Sequence, residues 1–523
     1  MKKNQPKWYH LKYNRINTQI NRLLKRSYSG KTGIYFKGDN NYESILSYDD
    51  VKDKLPIPIL ENEKHLIRMY DHVWERVFNA HMQPANPKVN LLAPYIDVGL
   101  DNKLYQWDMF FIIQYAKYIN HLFPSIQSLD NFYLKQREDG MIHRIYCEKT
   151  GKEHWWGSFP NTINPPLFSW CEFEYIKLSG NSDRIAKILA PLEAYSNWIL
   201  DNMVIDKSKH QLFWNTGDAS GMDNTTRGGN GWIDMSSQVV CDNLSLSKLY
   251  KLNQDDINSE KHLKIANDIS NKIDKWMWCE EDGMYYDVDN NGNQIKVKTI
   301  ASFWPLLSGI ISKEKADKLV KHLKNEDEFW SDMVFPSLAK SEVGYDPSGK
   351  YWRGGVWSPT NYMVIKGLNN YGYDQLAYDA SKKYLDGMYE VFEDTNTIWE
   401  AYSPEPFKNN QLQPCTKKDG KNFCKDDFLG WSGIGPVALL IENIIGINVD
   451  SFNNLITWKI IRDDVHGIKN LHVNNCKVDL VVSGKSDART VEIESNREFK
   501  LIIHYNSKEI KKNILVGTNK FTI

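Results

Sequence analysis

The apolar residues between about positions 63 and 447 recur with the period of an α-helix. In the segment "KHLIRMYDHVWERVFNAHM", Leu66, Tyr70 and Val73 fall on one stripe. Further amphipathic stretches lie near 106–122, 165–181, 183–200, 235–252, 258–278, 302–324, 359–371, 374–392 and 431–446. About a dozen helices with loops of unequal length predict paired helices arranged in a ring. A helical solenoid would instead show a fixed repeat of roughly 20–50 residues, and this sequence shows none.

The pattern changes near position 449, where apolar residues begin to alternate along short segments. Val478, Leu480 and Val482 alternate in "KVDLVVSG", and the same spacing recurs in "EFKLIIHYN". Alternation with a period of two is typical of half-buried strands. The sequence therefore predicts three parts: an irregular N-terminal extension packed on the helical body (1–60), a helical domain (61–448) and a small antiparallel β domain (449–523).

Composition excludes several classes of protein. Lys plus Arg number 65 against 66 Asp plus Glu, so a net charge of -1 offers no general attraction to nucleic acid. The basic segment up to Arg26 lacks the apolar core of a secretory signal, and no run approaches about 18 apolar residues. We therefore expect a soluble protein without a membrane span. The choice between cytoplasm and periplasm and the oligomeric state stay open.

The cysteines argue against a zinc site. The seven are scattered, without a Cys-x-x-Cys pair or a Cys/His cluster. Cys415 and Cys424 flank a polar loop and could pair in an oxidising compartment, but free thiols are the favoured interpretation.

Two segments place acids at the edges of predicted helices. In "YQWDMFF", Trp107 and Asp108 open a helix, where an aspartate can simply favour the helix N-terminus. "WNTGDASGMDNTTR" holds Asp218, Asp223 and Arg227 among residues that favour turns. Its acids are either solvated on a surface loop or presented to a ligand.

Two later segments combine aromatic rings with charge. "YWRGGVWSPTNYMVIKGL" (351–368) holds two tryptophans, an arginine and adjacent glycines in one turn before a helix, which favours a ligand surface over a structural plug. "NTIWEAYSPE" places Glu400 between Trp399 and Tyr402. Taken alone, this segment favours a solvated loop acid, whereas in a pocket walled by aromatic rings the glutamate would be partly desolvated, which shifts its proton affinity. Two acids from distant loops with aromatic neighbours fit cleavage of a glycosidic bond, which needs a proton donor and an opposing carboxylate.

These motifs, together with "NPPLFSWCEFEYIKLSG" and "FLGWSGIGPVALLIENIIGI", resemble glycoside hydrolase family 63 and its trehalase-like relatives. That group includes processing α-glucosidases and mannosylglycerate hydrolases. The resemblance covers roughly residues 65–447 in the same order along the chain. It implies an (α/α)6 toroid, a six-hairpin barrel, and inverting hydrolysis of α-glycosides.

The resemblance also assigns roles to residues. Asp223 matches the general acid, with Asp218 as its rival, and Glu400 matches the general base that activates water. Arg227 would approach the sugar or the acid. On the same basis, substrate binding is assigned to Trp107, Asp108, Arg144, Asn164, Gly221, Arg227, Tyr351, Trp352, Arg353, Trp357 and Trp431.

The substrate class stays broad. The segment from Ser403 to Phe428 is long, polar and outside the family pattern, so it leaves the leaving group undefined. We expect an exo-acting, α-glucosidase-like hydrolase of a short α-linked oligosaccharide or small glycosyl conjugate. The alternatives are a trehalase-type hydrolase, a phosphorylase or epimerase on the same fold, and a carbohydrate-binding protein with an inactive site. No cofactor is expected, with a structural divalent cation as an alternative because some members of the family carry one.

Overall fold

The computed structural model describes residues 28, 30–38, 44–154, 163–205, 207–215, 219–485 and 488–523. The basic N-terminal segment therefore lies outside the described residues. The α-helices are α1 Tyr48–Val51, α2 Lys64–Arg76, α3 Gln106–Ala116, α4 Asp130–Tyr133, α5 Phe168–Ser179, α6 Ile185–Asn202, α7 Ile233–Leu252, α8 Asp256–Trp276, α9 Trp304–Ser308, α10 Lys313–Leu323, α11 Ser358–Asn370 and α12 Asp374–Thr395. Two π-helical segments are Val77–His81 and Gly435–Ile445.

The helices follow the predicted amphipathic stretches closely, with one break. The stretch predicted near 302–324 forms two helices, α9 and α10. Gly309, which has a left-handed backbone with φ of 70°, ends α9, and Ser312 caps the start of α10 through its side chain. A glycine takes this conformation without the penalty that a Cβ atom brings.

The helices are of two kinds. Every residue of α3 and of Gly435–Ile445 is buried, whereas α10 buries one stripe formed by Ala316, Leu319, Val320 and Leu323. A helix that is buried all round lies inside a body, and an amphipathic helix covers it. The helical domain therefore has an inner set and an outer set of helices.

The strands are β1 Ile57–Leu60, β2 Met82–Gln83, β3 Tyr95–Ile96, β4 Lys103–Tyr105, β5 Ile145–Cys147, β6 Trp278–Cys279, β7 Met284–Tyr285, β8 Asp287–Val288, β9 Gln294–Ile295, β10 Ile447–Asp450, β11 Leu455–Lys459, β12 His466–Val473, β13 Cys476–Ser483, β14 Thr490–Ser495, β15 Phe499–Tyr505, β16 Lys508–Ile514 and β17 Gly517–Thr522. The short strands β2 to β9 form two-stranded ribbons between the helices.

Two sheets form the C-terminal part. One has the order β1-β12-β13-β14-β17 and the other β10-β11-β15-β16. The predicted alternation in β13 is confirmed, because Val478, Leu480 and Val482 are buried while the residues between them are not. All pairs in these sheets are antiparallel except β11 with β15, which is parallel. The prediction of a purely antiparallel β domain is corrected at that one pair.

Strand β1 connects the N-terminal segment to the C-terminal sheet. Its Ile57 and Leu60 lie opposite Lys469 and His466 of β12. Pro58 is tolerated there because β1 is an edge strand, where a missing N–H costs no ladder bond. Residues 57–60 thus extend the β domain, whereas the sequence placed the whole of 1–60 against the helices.

No helix in the described part of the chain combines the length and apolar character needed to cross a membrane.

Candidate active site

The side chains of the candidate site lie at the N-terminal ends of the inner helices. Asp108 is in the first turn of α3, and Asn164 precedes α5. Asp223 lies on the loop before α7, Tyr351 on the turn before α11, and Trp431 before the helical segment Gly435–Ile445. Helix N-termini carry unpaired N–H groups and a partial positive charge, so this end of the helical body favours polar and anionic groups.

Three hydrogen bonds fix the position of Glu400. Only 6% of its surface is exposed. The backbone N–H of Lys425 donates to one carboxylate oxygen at 2.9 Å, and the Tyr351 hydroxyl donates to the other at 3.4 Å. The indole N–H of Trp431 donates to the Glu400 backbone carbonyl at 2.7 Å. The carboxylate therefore has a defined direction.

The negative charge of Asp223 influences the pKa of Glu400. Burial raises the pKa of Glu400 above its usual range, the Lys425 N–H lowers it, and the charge of Asp223 raises it further. Burial and then the charges of Asp223 and Glu400 raise the pKa of Tyr351 well above its usual range. The structure thus brings the two candidate acids from separate loops into one electrostatic environment with Tyr351.

The Asp223 loop is anchored to the turn that carries Trp352. The Asn224 side chain accepts from the Trp352 N–H at 2.8 Å and donates to the Lys350 carbonyl at 3.1 Å. Gly221 has φ of 77°, and a Cβ atom there would lie 3.1 Å from the Trp107 ring. Trp107 therefore packs directly beneath this loop. The rival acid, Asp218, lies outside the described residues.

Asp108 and Asn164 each hold a buried oxygen atom that no described group bonds. Asp108 is 3% exposed, and its Oδ1 has no hydrogen-bond partner in the described part of the chain. Asn164 donates to the Ala219 carbonyl at 3.0 Å, while its Oδ1 has no partner among these residues. Burial and then the charge of Glu400 raise the pKa of Asp108 well above its usual range, and Arg144 acts in the opposite direction. Buried polar atoms are normally paired, which makes these two oxygens candidates for contact with a ligand hydroxyl.

The aromatic residues of the candidate site form one group around Trp357. Trp352 and Trp357 lie parallel, with ring centres 4.2 Å apart and planes 3° apart. Tyr351 meets Trp357 edge to face at 4.8 Å, and Trp431 meets it at 5.8 Å. Trp357 is completely buried. It contacts all three of the other rings and therefore lies at the centre of the group.

Arg227 differs from the expectation that it approaches the sugar or the acid. It forms paired hydrogen bonds with Asp234 at 2.6 and 2.8 Å and with Asp287 at 2.8 Å on both oxygens. Its guanidinium carbon also lies 4.2 Å from the centre of the Trp232 ring. These contacts make Arg227 the anchor of the loop that carries Asp223.

Arg353 lies beside the same loop. A Cβ atom at Gly344 would be 3.0 Å from its Nη1 and 3.3 Å from the Thr226 methyl group. The guanidinium therefore packs near the base of the Asp223 loop.

The hairpin Cys415–Lys425 belongs to the site, although the sequence left its role undefined. Thr416 and Phe423 form an antiparallel β-bridge, and the Cys424 N–H donates to the Cys415 carbonyl at 2.8 Å. Both cysteines are buried free thiols, as the favoured interpretation predicted. The Asp419-Gly420 pair is a turn signal that indicates a hairpin at this position. No sequence signal indicated that its strands hold Glu400.

The matching family model is described as the mannosylglycerate hydrolase MGH1-like glycoside hydrolase domain and covers residues 103–408, more than half of the chain. An uncharacterized protein of Borreliella burgdorferi is 26% identical over 473 residues, which cover 85% of this chain and 95% of that protein. The mannosylglycerate hydrolase of Thermus thermophilus is 36% identical over 105 residues, 19% of this chain and 24% of that enzyme.

A solved structure extends the comparison. The crystal structure of a GH63 mannosylglycerate hydrolase from Thermus thermophilus in complex with glucose superposes with a TM-score of 0.53 at 19% identity. The match covers 66% of this chain and 95% of that chain. At this identity the likeness indicates a shared fold.

Buried carboxylates beside stacked tryptophans, on a fold and sequence that match carbohydrate-cleaving enzymes, define the class: this is a glycoside hydrolase. The chain belongs to glycoside hydrolase family 63, within the group whose family model is named after mannosylglycerate hydrolase. The resemblance predicted from the loop motifs is thereby confirmed.

Proposed function

We propose that the protein is an inverting, exo-acting α-glycoside hydrolase, α-glucosidase-like, that acts on a short α-linked oligosaccharide or small glycosyl conjugate. Asp223 is the general acid and Glu400 the general base. The observation that carries the proposal is the placement of these carboxylates on separate loops that meet around Tyr351. The reaction uses the two carboxylates without a cofactor.

The two acids need opposite proton states. Glu400 is ionised and takes a proton from a water molecule, whose oxygen attacks the anomeric carbon. Asp223 is protonated and gives its proton to the glycosidic oxygen as that bond breaks. The hydrogen bonds from the Lys425 N–H and the Tyr351 hydroxyl favour the ionised form of Glu400. Protons balance, because one is taken from water and one is delivered to the leaving group.

The sugar is held by the groups around the acids. The buried oxygens of Asp108 and Asn164 that find no partner among the described residues suit hydroxyl groups of the ring at the cleavage site. The stacked rings of Trp352 and Trp357 give this side of the site a buried apolar wall. Arg144 lies close enough to Asp108 to lower its pKa. It offsets in part the burial and the charge of Glu400, which raise that pKa overall.

The alternation of buried and amphipathic helices supports the (α/α)6 ring. The buried elements α3, α5, α7, α9, α11 and Gly435–Ile445 are separated in sequence by less buried segments, among them α6, α8, α10 and α12. In a ring of hairpins, inner helices with one common direction gather their N-termini at one end. The candidate site residues lie at those ends.

Early turnover is expected to release the β-anomer from an α-linked substrate. The measurement is the anomeric proton signal in NMR spectra taken during the first minutes of reaction. The substrates are a panel of α-linked disaccharides, trehalose and glycosyl glycerates. A first-formed α-anomer of the sugar at the cleavage site would overturn inversion, with trehalose left out of this readout because its second glucose leaves as the α-anomer. Cleavage of trehalose alone would favour the trehalase-type alternative, and dependence on inorganic phosphate would favour a phosphorylase.

Replacing Tyr351 with Phe is expected to move the acid limb of the pH dependence of kcat/KM to higher pH. The Tyr351 hydroxyl donates to Glu400 and lowers its pKa, so its removal raises a pKa that burial has already raised. A base works only when ionised, so activity is then lost at a higher pH as acid is added. Tyr389→Phe is the matched control, because Tyr389 bonds Arg68 on an outer helix. An acid limb identical in both variants would contradict the assignment of Glu400.

A further inference from the structure

Lys418 lies at the turn of the hairpin Cys415–Lys425 and reaches the proposed general acid. Its Nζ is 3.3 Å from Oδ2 of Asp223 and 5.2 Å from the centre of the Tyr351 ring. The Lys418 side chain is 50% exposed and that of Asp223 is 22% exposed. The pair thus joins two loops of the candidate site that are 195 residues apart in sequence.

Backbone hydrogen bonds join the hairpin that carries this lysine to the neighbouring loops of the site. The Tyr351 N–H donates to the Thr416 carbonyl at 2.7 Å, and the Cys415 N–H donates to the Ala401 carbonyl at 2.9 Å. At the turn, the Asp419 carboxylate accepts from the N–H groups of Lys421 at 2.9 Å and Asn422 at 3.1 Å. The hairpin is therefore bonded to the loops that carry Tyr351 and Glu400, and the Asp419 side chain caps its turn.

A cation beside Asp223 opposes the proton state that a general acid needs. A positive charge within about 4–6 Å favours a carboxylate over a carboxylic acid. Glu400 acts in the opposite direction, because a second negative charge nearby favours the protonated form. Tyr351 faces both acids, and Lys417 on the same hairpin acts on Glu400. Glu400 and Lys418 therefore act in opposite directions on the proton of Asp223.

We propose that Lys418 is a positioning residue that controls protonation of Asp223 and so sets the alkaline limit of the enzyme. The inference rests on the proposed role of Asp223. Lys418 donates no proton and forms no bond in the reaction. Its ammonium group favours the ionised form of Asp223. As pH rises, Asp223 therefore loses its proton at a lower pH than it would without the lysine.

The test compares the pH dependence of kcat/KM in three variants. Lys418→Met removes the charge and keeps the length of the side chain. It is expected to move the alkaline limb upward by about one pH unit, the lower end of the effect of a close opposite charge, because the pair is partly solvated. Lys418→Arg keeps the charge, so its alkaline limb is expected to lie at the wild-type position. Lys421→Met, the control, removes an exposed charge from the same hairpin and is expected to leave the limb in place.

The result is interpreted together with Asp223→Asn. An alkaline limb unchanged in Lys418→Met, or one shifted equally in Lys421→Met, would overturn the role of Lys418. If Asp223→Asn keeps wild-type turnover, the proposed general acid itself is wrong. Added salt gives a second readout, because screening of a half-exposed pair should reduce the difference between wild type and Lys418→Met. A difference that is the same at low and high salt would also contradict the ion-pair explanation.

Discussion

Glu400→Gln is expected to lower kcat by about 10²–10⁴-fold, the range that a positioned general base contributes. Glutamine keeps the size of the side chain, and its carbonyl oxygen can still accept the Lys425 N–H, so the hairpin stays in place. It cannot take a proton from water. Asp223→Asn is expected to cause a loss of the same order, because an amide cannot protonate the leaving oxygen. Steady-state kinetics with the best substrate of the panel, with circular dichroism to verify folding, measures both.

Glu405→Gln is the matched control for Glu400→Gln. Glu405 lies on the same loop and pairs with Lys340 at 2.7 Å near the surface. The change removes the same charge from the same segment, yet turnover is expected to stay near the wild-type value. Near-normal turnover in Glu400→Gln or Asp223→Asn would end the assignment of the residue concerned.

Arg227→Met is expected to reduce the free energy of unfolding by about 3–5 kcal/mol, the cost of leaving buried carboxylates without their cation. Asp234 and Asp287 are both buried, and both lose paired hydrogen bonds to Arg227. Because Arg227 ends the loop that carries Asp223, turnover should fall as well. Urea titration followed by tryptophan fluorescence and by circular dichroism measures the loss of stability.

The comparison for Arg227 is Arg76→Met. Arg76 pairs with Asp427 at the surface, where roughly one third of each side chain is exposed. Such pairs contribute about 0.2–1 kcal/mol, so the urea midpoint should move little. Equal midpoints for the two variants would contradict a structural role of Arg227. Adding Asp287→Asn to Arg227→Met should recover part of the loss, because one uncompensated charge is then removed.

Local patterns predicted much of the architecture. The stripe of Leu66, Tyr70 and Val73 became the buried face of α2, and the alternation in β13 became its buried face. Both depend on periodicity, which a single segment records completely. The sequence of a strand does not identify the strand with which it pairs. Strand β1 joins β12 across more than 400 residues, and nothing in "IPIL" names that partner.

Some features of the candidate site could likewise be predicted from local motifs, and others could not. The motifs identified the loops of Asp108, Asp223, Glu400 and Tyr351, and the structure brings these loops together. Arg227 was misinterpreted because one of its counter-charges, Asp287, lies 60 residues further along the chain. The contact between Lys418 and Asp223 joins a segment outside the family pattern to one inside it, so no motif could indicate it.

The sequence by itself determined the helical and β segments, the loops that carry the acids, and membership in a family of glycoside hydrolases. Periodicity and short motifs are local properties, and the order of residues contains them in full. Only the tertiary structure decided which charges face Asp223, which groups hold Glu400, and that Arg227 anchors a loop. The proton affinity of a group depends on burial and on distances through space, and both arise only when segments far apart in the chain pack against one another.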